Sequence, residues 1–507
     1  MIERRINVAT INSIKLPNNT TYDINAKTVN GHTVAVDVPA DAVFTDTTYN
    51  VTPITISTAQ RGSDIAVDDI TAWSAGTVTS ASISGGELTI TNGTAPSLSY
   101  TAKNVPNLST KKVQVVGSVT VPDPYDYYGM IIHQAIQTPQ SRIEYIGKNA
   151  SYTAMSVNHN TGEVNYGSWG TMPTIVENKP AMIQRDGTFD YWLDENDYTK
   201  KEDGTASDVA NINYVGNAFA WFPAMWMKII ESGTDLEVRF AYEKLDNDYY
   251  EVCPEGSEGV WLPMFYGSPD SNGYMRSIAN TSVLGGVTNN STTDAQNTAI
   301  KKNGNDYYFL GGKLLDCITL LEMMWFKTTN SDDIGRGNQD GYNASAPDGR
   351  YGTKSNPIVD GGQFYLTASG TDANKILHSI PLATFDVWLR NPYWVVDNGS
   401  IKVSKDYSYD TSGSSYTATG LTIPSAGYIK ELIYVNGYGL VPKSTGAGTA
   451  TYYCDYLWVN TSIVSVPFSL GSCNHGRNGG FRASLCYYAA GSSYWDFACA
   501  LFLKQQR

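Results

Sequence analysis

The sequence predicts an α+β fold in two parts, a β-rich N-terminal docking or stalk segment followed by a large domain with few helices. Three observations predict it. The chain has 507 residues, well past the length at which one hydrophobic core keeps growing, so two or more domains are expected. Residues 1–120 are rich in Ser, Thr, Val and Asn, with short alternating apolar runs broken by Gly, Asn and Pro, the pattern of small antiparallel strands. Beyond them Tyr and Trp become dense among Gly, Asn, Ser and Asp turns, and only two segments carry a clear helical period.

The elements follow in chain order. Residues 1–50 are read as a docking segment and 51–120 as a small β-rich stalk domain. Within the stalk, Ala81 and Ile83 alternate, Gly85-Gly86 follows, and Leu88 and Ile90 resume the alternation, which predicts a two-residue hairpin. Large apolar side chains are too few here for a substantial core, so stability is expected to come from copies of the chain or a larger assembly. Pro122-Asp123-Pro124 removes donors and disfavours helix before each proline, which places the main boundary there and assigns 121–507 to the second part. Its length predicts insertions or a further subdivision. All but one of the 11 tryptophans follow residue 168, Trp73 being the exception. The clearest helix runs through Leu314, Cys317, Ile318, Leu321, Met324 and Trp325, whose spacing stripes one helical face. A second is "TTDAQNTAIKK", with Thr and Asp caps near 292–294.

Composition excludes several functions. Charged residues are 17% and hydrophobic ones 41%, and 49 acidic against 35 basic residues give a net charge of −14. That predicts a soluble globular chain with no footprint for nucleic acid or anionic lipid. The longest apolar run, Ala218 to Met227, is about half of a membrane span and is broken by Pro223. The N-terminus lacks the continuous apolar core of an export signal, so synthesis in the cytoplasm is expected. Cys253, Cys317, Cys454, Cys473, Cys486 and Cys499 form no C-x-x-C pair, which points to free thiols rather than a zinc site or a disulfide framework.

The raw material for catalysis is thin. There are five histidines, His32, His133, His159, His378 and His475, and no nucleophile elbow, zinc-protease helix, phosphate loop or dinucleotide fingerprint. "GRGNQDG" at Gly335 to Gly341 follows a helical stretch rather than a strand and reads as a turn. Glycosidase carboxylates can lie far apart in a chain, but Asp294, Asp332 and Asp333 read first as turn and cap residues. No calcium-loop pattern occurs, and neither a metal nor a cofactor is expected.

The informative segment is the last, from Ser465 to Arg507. It interleaves Gly and Ala with Cys, Asn, His, Arg, Tyr and Trp where a buried core would use Leu, Ile and Val. Tyr487, Tyr488, Tyr494 and Trp495 offer amphipathic area with few rotors, Asn474 and Asn478 adaptable hydrogen bonds, Arg477 and Arg482 forks of donors. Phe468, Leu470, Phe481, Leu485, Phe497, Leu501 and Phe502 read as core. For Cys473, Cys486 and Cys499 burial competes with exposure. His475, between Asn474 and Gly476, reads as an exposed contact residue. From residue 451 onward Arg477, Arg482, Lys504 and Arg507 outnumber Asp455 and Asp496, so this end is slightly positive on an acidic chain.

Three regions carry a resemblance. "TINSIKLPNNTTYDI" and "VNGHTVAVDVPADAVFTDTTY", residues 10–24 and 29–49, resemble the start of tail-fibre and other structural proteins from phages of gut bacteria. "FYGSPDSNGYMRSIAN", "LLEMMWFKTTNSDDIGRGN" and "RNPYW" at Arg390 to Trp394 resemble the ordered blocks of phage receptor-binding proteins with a C-type-lectin-like domain. The last 40 or so residues resemble the end of that domain, the segment varied by diversity-generating retroelements in proteins of the major tropism determinant type. The resemblance implies a C-type-lectin-like fold, related to formylglycine-generating enzymes, whose C-terminal strands and loops present a ligand-binding face. Carried over, that face would comprise Cys473, Asn474, His475, Arg477, Asn478, Arg482, Cys486, Tyr487, Tyr488, Tyr494, Trp495 and Asp496. The cysteine pair of the enzymatic relatives is not matched, so their catalysis is not carried over.

The expectation is therefore a non-enzymatic virion protein, homotrimeric, docked to other virion proteins through its N-terminal segment and binding a host bacterial surface protein or glycan at the C-terminal face. Its rivals are a tail-associated polysaccharide depolymerase and an architectural or head-fibre decoration protein.

Overall fold

The structure is a computed structural model that describes residues 126–158, 164–279, 281, 292–334, 376–380, 387–472, 475–494 and 496–506, and within 1–125 the backbone of short strands. The chain divides into two compact units, Met1–Asp126 and Tyr127–Arg507. The expected boundary at Pro122-Asp123-Pro124 and the turn reading of Gly335 to Gly341 lie outside the described residues. In the first unit Gly76–Ser84 pairs antiparallel with Glu87–Asn92, Ser84 opposite Glu87 and Ile83 opposite Leu88, inside a six-stranded sheet. This is the hairpin expected around Gly85-Gly86, glycine being the residue that primed turns favour.

The second unit is β-rich with few helices. A first sheet of five strands has the order Ile143–Gly147, Tyr128–Ile132, Asp235–Ala241, Trp226–Ser232, Tyr250–Glu251. Its hairpin follows from alternation: Met227 and Ile229 point into the core while Lys228 and Ile230 do not, and Val238 and Phe240 repeat the pattern opposite them. Ser232 pairs with Asp235, leaving Gly233 and Thr234 as a two-residue loop, and Gly233 supplies the positive φ such a loop needs.

A second sheet of six strands has the order Phe189–Trp192, Pro180–Gln184, Gly216–Pro223, Ser257–Pro263, Leu501–Gln506, Tyr307–Phe309. The strand nearest the C-terminus thus lies between two strands more than 190 residues earlier in sequence. A third sheet of seven strands joins Gly439–Thr445, Gly427–Val435, Tyr456–Val459, Gly480–Cys486, Phe468–Leu470, Trp388–Arg390 and Phe497–Ala498. Two of its pairings are parallel, Tyr456–Val459 with Gly480–Cys486 and Trp388–Arg390 with Phe497–Ala498.

Both expected helices form. Thr293–Lys301 starts at Thr292, whose hydroxyl accepts from the Ala295 amide at 3.1 Å, with Asp294 in the first turn and Lys301 in the last, charges that suit the helix dipole. Gly312–Phe326 is the central helix. Its sequence stripe predicts one buried face, yet all 15 residues are buried, because it packs against Ile143–Gly147 of the first sheet and Gly439–Thr445 and Gly480–Cys486 of the third. Complete burial makes an unpartnered polar group on this helix costly, and two of its charged residues have partners. Lys313 Nζ donates to the Glu251 carbonyl at 2.8 Å, and Asp316 pairs with Arg482. Two first-turn amides, which no helix can satisfy internally, donate to Asn391 Oδ1 from Gly312 at 2.8 Å and to Tyr407 Oη from Leu314 at 3.0 Å.

Candidate binding face

The predicted face is built on the third sheet. Strand Gly480–Cys486 is buried at every position, flanked by Tyr456–Val459 on one side and Phe468–Leu470 on the other. The chain leaves that strand at Cys486, turns through residues 487–494 and re-enters the sheet at Phe497. Tyr487 and Tyr494 are 46% and 48% exposed on this loop, and Tyr488 is half-buried between them. The Tyr488 ring lies 5.3 Å from Tyr487, 4.9 Å from Tyr494 and 5.1 Å from the buried Phe497, so the three tyrosines form one continuous aromatic patch.

The loop is held from beneath by Arg390. Its guanidinium is fully buried over the Phe468 ring at 4.4 Å, donating through Nε to Gln296 Oε1 at 2.8 Å, through Nη1 to Thr293 Oγ1 at 2.6 Å and through Nη2 to the Ser492 carbonyl. Burial lowers its pKa to about 10, which leaves it charged at neutral pH. Thr293 completes the clamp, its amide and hydroxyl both donating to the Ala490 carbonyl, at 2.9 and 3.0 Å. Loop 487–494 is therefore fixed by one cation and one helix N-terminus.

A second aromatic run adjoins it. His475 sits 5.1 Å from the Trp388 ring and 5.0 Å from Trp458; Trp458 continues to Tyr456 at 4.7 Å, and Tyr456 to Tyr428 at 5.0 Å. Burial lowers the His475 pKa to about 4, so the ring is neutral at pH 7. Ser472 lies between His475 Nδ1, at 3.1 Å, and Asp496 Oδ2, to which it donates at 2.8 Å. In a nucleophile relay the imidazole stands between hydroxyl and carboxylate; here the buried hydroxyl stands between the other two, and its evident effect is to tie two loops together.

Of the twelve expected face residues, Arg477, Tyr487 and Tyr494 are exposed, and His475, Asn478 and Tyr488 are partly so. Arg477 lies 3.4 Å from Asp332, and Asn478 Oδ1 accepts from Tyr428 Oη. Cys473, Asn474 and Trp495 lie outside the described residues. For Arg482, Cys486 and Asp496 the expected exposure is corrected, because all three are buried. Arg482 pairs inside the molecule with Asp316, Cys486 is a thiol raised by burial, and Asp496, also raised by burial, holds Ser472. The expectation of an exposed His475 is corrected as well, since most of the ring is covered by the two tryptophans. Phe468, Leu470, Phe481, Leu485, Phe497, Leu501 and Phe502 are buried, as their core reading requires.

Sequence reasoning missed Tyr428, Tyr456 and Trp458. The signal was present, because Tyr456 and Trp458 alternate across the buried Leu457 and share a strand face. It also missed Arg390 as the clamp. The other candidate groups are engaged elsewhere: Asp294 accepts from Tyr409 Oη, Asp333 from Thr328 and Gln140, His133 bridges Asp235 and Glu144, and His378 meets Tyr198 Oη at 2.6 Å. His32 and His159 lie outside the described residues. No group of three or more metal-ligating side chains occurs among the described residues, and no described helix is long and apolar enough to cross a membrane.

No protein-family model matches the chain, and no curated protein matches it.

Proposed function

We propose that the chain is a phage virion structural protein, a tail-fibre or receptor-binding protein, whose C-terminal C-type-lectin-like domain binds a protein or glycan on the host bacterial surface. One observation carries the reading: Tyr487 and Tyr494 stand exposed on a loop that Arg390 and Thr293 fix from below. Pre-ordered aromatics lose little entropy on binding and are the side chains most often found at binding hot spots. Arg477 is a further exposed donor in this C-terminal region, with its Nε 3.4 Å from Asp332. The N-terminal segment docks to other virion proteins, the assembly is a homotrimer, and the face works by contact, with no catalytic step, cofactor or metal. Three sites on one particle gain avidity, so each can be modest.

The test is adsorption of the purified protein to a panel of gut bacterial strains, with the double variant Y487A/Y494A alongside. Both rings are half-exposed, so the variant is expected to keep its melting temperature within a few degrees. Binding is expected to be strain-selective and to fall by about tenfold or more in the variant. Undiminished adsorption by a folded variant sinks the reading. Release of reducing sugar ends from host capsule would establish the depolymerase in its place.

A further inference from the structure

Apart from residues 487–494, strands of the second sheet and the segments flanking them line an aromatic groove of about 870 Å³. Trp221 and Trp261 are directly opposed across neighbouring strands with rings 5.1 Å apart, and Trp192, on the edge strand, lies 5.9 Å from Trp261. Phe189, 43% exposed, closes the cluster at 4.9 Å from Trp192 and stacks on Trp261 at 6.4 Å. Trp261 is the floor, nearly buried, with its Nε1 donating to Gln505 Oε1 at 3.1 Å. Gly259 is required by this packing: a Cβ there would strike the Trp221 ring and the Phe222 carbonyl. None of residues 487–494 lines the groove.

We propose that this groove is a second binding site, for a neutral saccharide. Its volume is that of a small-molecule site, but it is open, and an open groove cannot enclose a purely apolar ligand. Three half-buried rings around a buried fourth offer faces for the C–H side of a pyranose. Around them Glu177, Asp186, Glu258, Thr188 and Gln505 line the same groove and supply acceptors and donors for hydroxyl groups. Charge narrows the class. Three carboxylates face one ammonium, Lys179, which is itself 3.8 and 3.6 Å from Glu195 and Glu202. A polyanionic glycan would be repelled and a neutral one would not. A second copy of the chain is the poorer occupant, because its apolar surface would leave those carboxylates desolvated and unpaired.

The site is separable from the proposed receptor face by its residues. The intact protein would be titrated with short neutral gluco-, galacto- and manno-oligosaccharides, following tryptophan fluorescence and calorimetry, with hyaluronate and choline as acidic and cationic controls. At least one neutral series is expected to bind and hyaluronate to fail. W192A, a half-buried change on an edge strand, is expected to weaken that binding by about tenfold or more while Y487A/Y494A leaves it unchanged. W192F, which keeps a ring, should restore much of it. The proposal is overturned if no neutral series binds, if W192A binds as wild type does, if choline alone binds, or if W192A instead changes the oligomeric state. Loss of cell adsorption in Y487A/Y494A with intact saccharide binding would leave both readings standing on separate residues.

Discussion

Arg482 donates to the Asp316 carboxylate where both side chains are 7% exposed, and Asp316 also accepts from the Leu440 amide at 3.1 Å. A polar cavity of about 50 Å³, lined in part by Asp316, Thr319, Asn391, Arg482 and Ser484, adjoins the pair and has room for ordered water. Removing one member of such a pair strands a buried charge, at a cost of about 3–5 kcal/mol. R482M is therefore expected to lose about that much stability in urea unfolding, and R482M/D316N to recover more than half, since Asn still accepts from Leu440. Where R482M is folded its cell adsorption should equal wild type, because the guanidinium is buried against Asp316 and away from the surface; a specific loss of adsorption would return Arg482 to the face. This residue also marks where the sequence stopped being legible. Composition points to Tyr487, Tyr494 and Arg477, which are exposed, but it places Arg482 beside them, and the resemblance adds Cys486, for which composition leaves burial open. Both lie on strand Gly480–Cys486, which is buried on its two faces, so no alternation was available to separate inside from outside. Gly480 hints at the crowding, since a Cβ there would overlap the Asp455 carboxylate, which accepts from the Arg482 amide at 2.8 Å.

The central helix was legible as a helix and illegible as an environment. Its period located Gly312–Phe326, yet a stripe of apolar residues is equally compatible with a polar face in water. Lys313, Asp316 and Glu322 lie outside that stripe, on the rest of the helix circumference, which tertiary packing closed as well. Glu322 Oε2 finds no hydrogen-bond partner among the described residues, and burial raises its pKa from the ordinary 4.5 to about 8. A raised carboxyl pKa means that the folded state holds a proton the unfolded state has released. Its contribution to stability is thus fully present below pH 4.5 and is lost as pH rises through 8, by at most about 5 kcal/mol. E322Q keeps the shape and cannot ionise. The variant and wild type should melt together near pH 5 and diverge as pH rises, E322Q becoming the more stable by pH 8–9 in scanning calorimetry. His475 acts in the other direction. Its pKa of about 4 lies below the ordinary 6.5, so its contribution is present above pH 6.5 and falls away as pH drops through 4. The two windows overlap from pH 4.5 to 6.5, where the opposite trends offset each other, so these two groups place the wild-type optimum there, and a pH-independent gap between E322Q and wild type would refute the assignment to Glu322.

At the scale of the whole molecule, the two units differ in how they can be stable. Tyr127–Arg507 closes on itself, because Leu501–Gln506 fills the gap between Ser257–Pro263 and Tyr307–Phe309 and gathers distant parts of the chain into one sheet. That closure was invisible in the sequence, where nothing in "ALFLKQQR" names its partners, whereas the hairpin at Gly76–Asn92 was legible because its two strands are neighbours. The first unit has few large apolar residues, and its stability is expected to come from copies of the chain or from a larger assembly. If trimerisation resides there, residues 127–507 expressed alone should melt at the temperature of the same unit in the full chain and run as a monomer in light scattering. Its cell adsorption should then be weaker than that of the full chain by a factor of about 10²–10⁴, the gain that linked sites confer without any new contact. Saccharide binding at the Trp192 groove, being a property of one unit, should be unchanged in the fragment. A fragment that is itself trimeric, or that adsorbs as tightly as the full chain, would move the assembly contacts out of the first unit and remove avidity from the account of binding.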